Sequence, residues 1–226
     1  MRKIFLDCGA NRGQSINAFL KEFPNSNEFE IFSFEPSKSE EILSSLNNYK
    51  SEKIKIFNSA VDTQDGYKKF YDSGDTSSSL IDRNRTKNII KVKTISLSKF
   101  ILENFDKKNY IILKIDIEGS EYDVIDDLSK KGIFNSIDLF FAEIHGSKTG
   151  KSLNDSINLI NKVSSCGHKI YEWEAKDFKY DNFKQNYYTV EKIKLYHAKW
   201  DKKYPKKNLL YKLKRFYWRL KNYYLN

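Results

Sequence analysis

Strand-like and helix-like patterns alternate along most of the chain. Residues 3–7 make a short apolar strand, and Ile16, Phe19, Leu20 and Phe23 then recur at helical spacing. Residues 30–35 alternate apolar and polar, which predicts a second strand stopped by Pro36. Ser37 or Ser39 can cap a following helix, with Ile42, Leu43 and Leu46 turned inward. Residues 53–61 contain the third strand, through Ile54 and Ile56, with Ala60 and Val61 at its exit. Strand, helix, strand, helix, strand is one half of a doubly wound parallel sheet, so the pattern predicts an α/β fold.

The next stretch is less regular. Residues 67–71 and 89–95 predict short strands around a polar loop over 72–79, and 96–105 predicts a helix. Residues 110–117, Tyr-Ile-Ile-Leu-Lys-Ile-Asp-Ile, form a nearly unbroken apolar run typical of a central parallel strand. Helices are predicted over 121–131 and 152–163, a strand over 137–144, and two late strands over 168–173 and 189–196.

Composition narrows the setting. The 226 residues suit one α/β domain with an appendage, and 39% hydrophobic residues are enough for a real core. No apolar run reaches the length of a membrane span, and the chain enters its first strand directly, which predicts no signal peptide. Cys8 and Cys166 are too few and too far apart for a metal cluster, and a reducing cytoplasm is their natural setting. The net charge of +10 is uneven: residues 199–226 hold ten Lys or Arg and one acid, leaving the other 198 residues near neutral. The division expected is therefore a body over 1–198 and a basic segment over 199–226.

The candidate chemistry starts at residues 4–15, Ile-Phe-Leu-Asp-Cys-Gly-Ala-Asn-Arg-Gly-Gln-Ser. A strand, a glycine turn and a helix N-terminus in that order make a cradle for a nucleotide-like ligand. The spacing is Gly-x-x-x-Gly, neither the Gly-x-Gly-x-x-Gly of dinucleotide enzymes nor the lysine-bearing phosphate loop. The turn carries no Lys, so a triphosphate fits poorly, while Asp7 at its mouth suits a ligand with a cationic part. These points favour S-adenosylmethionine.

In such a sheet, ligands bind beyond the carboxyl ends of the strands. There, Glu35 can accept both hydroxyls of a ribose, Ala60 and Val61 can pack on adenine, and Asp62 can meet its amino group. Asp116 and Glu118 lie two apart at the end of the central strand, and Glu121 enters the next helix, where an acid is commonly a dipole partner. Glu143 and His145 end the following strand in the same way, and a histidine there can take a proton from a hydroxyl. Asp116, Glu143 and His145 together have the donor types for a divalent metal, but strand ends collect acids without one, and no metal is assigned.

At these positions the chain resembles the FkbM-type family of S-adenosylmethionine-dependent methyltransferases. The matching stretches are residues 6–15, Phe34-Glu-Pro36, Ser59-Ala-Val61, Ser78-Ser-Leu80, Lys93-Thr-Ile-Ser-Leu97 and, most specific, Leu113-Lys-Ile-Asp-Ile-Glu-Gly-Ser-Glu121. They fall in the family's order across about residues 4–146. The resemblance implies a class I, Rossmann-like, mostly parallel seven-stranded sheet with a final antiparallel strand. It implies O-methylation, commonly of sugars or small secondary metabolites. Carried over by position, Asp7, Gly9, Asn11, Gly13 and Gln14 face the cofactor's amino acid end, with Ser15 beside them. Glu35, followed by Pro36, takes the ribose, and Asp116 lies near the methyl donor. Asp116, Glu143 and His145 are the candidate catalytic residues, and the 72–88 loop is the candidate for closing the site.

In the basic segment, Leu209, Leu213, Phe216, Tyr217, Leu220 and Tyr224 recur at helical spacing among Lys and Arg. Such an amphipathic helix suits an anionic membrane surface, a glycosyltransferase partner, RNA bound through its aromatics and charge, or packing on its own domain. The reading favoured is a sugar or glycan O-methyltransferase, cytoplasmic and peripheral at a membrane surface. The alternatives are a nucleic-acid methyltransferase using the basic tail and a non-catalytic module that recruits glycan enzymes. The first is disfavoured because none of the three prolines lies in an Asn-Pro-Pro-Tyr type of motif. Intact Asp7, Glu35 and Asp116 weigh against lost cofactor binding in the second.

Overall fold

The computed structural model describes residues 1–37, 42, 46, 52–73, 78–81, 88–174, 176 and 178–203. The main sheet begins with β1 (Lys3–Cys8), β2 (Phe29–Phe34) and β3 (Ile54–Phe57). α1 (Gln14–Glu22) links the first two, and its Phe19 stacks on Phe5 of β1 with ring centroids 4.0 Å apart. Of the helix expected after Pro36, only Ile42 and Leu46 are described, and both are buried.

After β3 the chain leaves this sheet. The 53–61 strand expected from sequence divides in two, because a tight turn in which the Ser59 N–H donates to the Phe57 carbonyl (2.8 Å) interrupts it. Its second part is β4 (Ala60–Asp62), which joins β5 (Gly66–Asp72) and β6 (Asn88–Ser96) in a separate sheet of order β4-β6-β5. α2 (Leu97–Asn104) starts on Ser96, whose side chain accepts from the Lys99 N–H.

The second half returns to the main sheet through β7 (Tyr110–Ile115), α3 (Glu121–Lys130), β8 (Leu139–Ala142), α4 (Leu153–Ser165) and the two-residue β9 (Tyr171–Glu172). α4 opens on a capping box between Ser152 and Asp155. The order is β3-β2-β1-β7-β8-β9, with every pair parallel. The winding reverses between β1 and β7, which opens the crevice where such sheets bind ligands. Both strands are buried on two faces: Ile4, Leu6, Ile111 and Leu113 pack in one cluster, Phe5 and Ile112 in the other. This is why their sequences read as continuous apolar runs.

Two late features differ from the sequence expectation. Residues 189–196, which alternate like a strand, form α5 (Val190–Lys203). Thr189 Oγ1 accepts from the Lys192 N–H, Ile193 turns into the core at 2% exposure, and Leu195, inward in a strand reading, stays half exposed. The final antiparallel strand is accordingly reduced to one bridge, Tyr171 to Tyr187, and six strands make up the main sheet among the described residues. α5 crosses residue 198, where the body was expected to end, and the amphipathic pattern from residue 208 lies outside the described residues. Among the described residues no helix is long and apolar enough to cross a membrane.

Candidate active site

The sheet register puts Asp7 between Ser33 of β2 and Lys114 of β7, so three neighbouring strands present a polar row inside an apolar sheet. Asp7 Oδ2 accepts from Ser15 Oγ (2.7 Å) and Ser33 Oγ (3.4 Å). Its Oδ1 lies 3.1 Å from Lys114 Nζ, an ion-pair distance without hydrogen-bond alignment. Lys114 Nζ donates instead to the Gly9 carbonyl at 2.8 Å. Burial works against the charge on Lys114, but Asp7 and then Asp116 outweigh it and raise its pKa. Cys8, next in the strand, has its thiol pushed up by burial and by Asp7, which suits a packed residue rather than a nucleophile.

Above this row runs the glycine turn. Gly9 has φ +85, and a Cβ there would lie 1.8 Å from the Asp116 carbonyl oxygen. Only glycine lets the β1 turn pass this close over the end of β7. Asn11, also left-handed at φ 51, donates its N–H to Glu35 Oε2 (3.0 Å). Glu35 Oε1 accepts from the Ser37 N–H (3.1 Å) and Oγ (3.0 Å), which fixes a carboxylate 7% exposed at the crevice.

These groups border a cavity of about 490 Å³. Of the residues expected from sequence, Gly9, Asn11, Gln14, Ser15, Glu35, Pro36, Ala60, Val61, Asp116 and Glu143 line it. Asp7, Gly13, Asp62 and His145 do not. Asp7 is fully buried beneath the floor, Gly13 is the left-handed N-cap of α1, and Asp62 is engaged by Lys68 and the Thr63 N–H. Of the 72–88 loop, Ser78 and Leu80 reach the cavity wall, and Ser79 Oγ donates to the Glu118 carbonyl at 2.8 Å.

At the ends of β7 and β8 the acids converge on His145, which is 1% exposed. Its Nδ1 meets Glu121 Oε1 at 2.8 Å. Its Nε2 lies 3.1 Å from Glu143 Oε1, 3.4 Å from Glu118 Oε1 and 3.8 Å from Asp116 Oδ1. Glu118 gets there through a left-handed turn (φ 56), not through the extended strand that its spacing from Asp116 suggests. Burial disfavours a charged His145, but Glu121, then Glu143 and Glu118, outweigh it and hold its pKa well above 6.5. Burial pushes Asp116 up to about 6 against the pull of Lys114 and His145. Glu143, although burial acts the other way, is lowered by His145 and Lys148.

Four residues here carry more than their sequence positions suggest. Glu121, a dipole partner by its place in the helix, is fully buried, and its Oε1 also accepts from the Gly119 N–H at 2.9 Å. Lys114 is signalled by its place inside an apolar run. Lys148 lies 3.3 Å from Glu143 Oε1, and Trp173, which lines the cavity, has a buried Nε1 without a hydrogen-bond partner.

A Rossmann-like parallel sheet with a glycine turn and carboxylates at its switch point is the framework of a class I methyltransferase. The family model described as the methyltransferase FkbM domain matches residues 7–193. The chain belongs to that family and is a methyltransferase. Neither a curated protein nor a solved structure matched it.

Proposed function

We propose that the protein transfers a methyl group from S-adenosylmethionine to a hydroxyl of a sugar or glycan. The observation that carries this reading is that one cavity is bordered both by Glu35, held by the Asn11 N–H, and by the Asp116 and Glu143 carboxylates. The residues fit the cofactor. Gly9 lines the cavity and carries no side chain, so main chain borders it there, and its volume falls within the roughly 300–1,000 Å³ of small-molecule sites. Glu35 borders the cavity as a fixed carboxylate, the group type that accepts from ribose hydroxyls, and Ala60 and Val61 offer an apolar wall for the base.

When bound, S-adenosylmethionine supplies an electrophilic methyl group on a sulfonium. The chain binds and orients the reactants, which supplies much of the rate in a displacement of this kind. The acceptor hydroxyl donates its one hydrogen bond to the wall formed by Asp116 and Glu143, and its proton leaves toward these carboxylates. His145 lies beneath the wall and fixes the carboxylates from below. Glu174 and Lys176, which also line the cavity, suit an acceptor rich in hydroxyls. The basic segment 199–226 would bring the enzyme to an anionic surface or to a glycosyltransferase.

The test is calorimetric titration of S-adenosylmethionine and S-adenosylhomocysteine into the protein and into Glu35→Ala. Micromolar binding, weakened at least about tenfold in the variant, is expected. Methyl transfer to nucleotide sugars and glycans is then read by mass spectrometry. Absence of binding to folded protein would sink the reading.

A further inference from the structure

We propose that Asp116, Glu143 and His145 form a binding site for one divalent first-row transition cation. One donor atom from each lies within 4.8 Å of the other two. An acidic cluster alone is no site, but here a second feature points to a ligand. His145 Nε2 is buried, has no hydrogen-bond partner, and faces Glu143, Glu118 and Asp116 at 3.1, 3.4 and 3.8 Å.

The other side of the ring is fixed. Nδ1 is held by Glu121, whose carboxylate is itself held by the Gly119 N–H. A carboxylate on the far nitrogen is the usual outer support of a metal-binding histidine, because it sets the tautomer and strengthens the donor. The local charge also calls for a cation. Five carboxylates, Asp7, Asp116, Glu118, Glu121 and Glu143, face Lys114, Lys148 and His145; Lys114 is taken up by Asp7 and the Gly9 carbonyl, and an ion on His145 Nε2 would stand in place of the proton there. Lys148, on Glu143 Oε1, is the group an ion would displace.

One imidazole and two carboxylates suit Mn²⁺, Fe²⁺ or Zn²⁺ better than Mg²⁺ or Ca²⁺, which prefer all-oxygen shells. Ligands of one such ion, at about 2.1 Å, lie about 3–4.2 Å apart, so the three donors need only a small contraction. Asp116 and Glu143 border the cavity, so the remaining coordination positions face the space assigned to the acceptor. That last point rests on the methyl-transfer reading, whereas the cation site does not.

The test uses the full chain, stripped with a chelator and titrated with Mn²⁺, with loss of the free-ion electron paramagnetic resonance signal as readout. One Mn²⁺ per chain is expected, displaced by Zn²⁺ and not by equimolar Mg²⁺. Glu143→Gln and Asp116→Asn should each weaken binding at least about tenfold. Pulsed resonance on the parent should show nitrogen coupling from one imidazole, which decides the matter even where a variant fails to fold. Absence of binding, binding unchanged in folded Glu143→Gln, or bound Mn²⁺ without nitrogen coupling would each overturn the site. S-adenosylhomocysteine is titrated into the same preparation. Its binding without Mn²⁺ binding removes the cation site alone, and the reverse removes the methyl-transfer reading alone.

Discussion

Glu121 Oε1 and His145 Nδ1 stand 2.8 Å apart with neither side chain exposed to solvent. They join the start of α3 to the end of β8, and the orientation of the ring under Asp116 and Glu143 depends on that link. Removing one partner of a buried pair strands the other charge. Glu121→Ala is therefore expected to cost about 3–5 kcal/mol, and Glu121→Gln, which keeps a hydrogen-bonding group, less. Urea denaturation measures both, and an alanine variant within about 1 kcal/mol of the parent would contradict the role assigned to Glu121.

Gly9 and Gly167 give a controlled comparison. Both have left-handed backbones, φ +85 and +83, but a Cβ at Gly9 would strike the Asp116 carbonyl while one at Gly167 meets nothing within 4 Å. Gly167→Ala should cost about 1 kcal/mol, the ordinary backbone penalty. Gly9→Ala should cost clearly more and should also weaken S-adenosylhomocysteine binding. Equal losses in the two variants would mean that β1 and β7 do not need their close approach.

Lys114 and Asp7 should behave as one unit. Lys114→Met leaves Asp7 as an uncompensated charge at 0% exposure, and about 3–5 kcal/mol is expected to be lost. Adding Asp7→Asn should recover a large part of it. A double-mutant cycle by chemical denaturation gives the coupling, and strict additivity would argue against the pairing.

Asp126 of α3 gives a pH dependence. Hydrogen bonds from Lys130 and Lys162 hold its carboxyl below its ordinary value. A depressed folded pKa adds stability above the unfolded pKa, and that stability disappears as pH falls through the folded value. The parent should lose more stability than Asp126→Asn between neutral pH and roughly pH 3. Because Asp126 is about one-third exposed, the difference should be small. Parallel urea titrations at the two pH values measure it, and identical losses would contradict the assignment.

Most of the framework is legible in the sequence because parallel strands buried on both faces leave unbroken apolar runs, as at residues 110–115. The glycine turn and Glu35 were legible for a similar local reason: the chain order of strand, turn and acid fixes their place. What was hidden depends on neighbours remote in sequence. Asp7 is expected at a ligand's cationic end, and only the register with Ser33 and Lys114 shows it engaged below the floor. Glu121 looks like any first-turn acid until β8 brings His145 beside it. Residues 189–196 satisfy both periods, and burial of Ile193 rather than Leu195 decides for the helix.

The passage of the Gly9 turn over the end of β7 also bears on the order in which the protein acquires its ligand. Lys114 reaches the Gly9 carbonyl across 105 residues of chain, and the Asp116 N–H donates to the Cys8 carbonyl at 2.9 Å. A nascent chain that has emerged only as far as β6 holds the turn and Glu35 but not the strand that gives the turn its shape. On the methyl-transfer reading, S-adenosylmethionine would therefore have nothing formed to grip until β7 slots in beside β1, and its binding would report that long-range pairing rather than the first half alone.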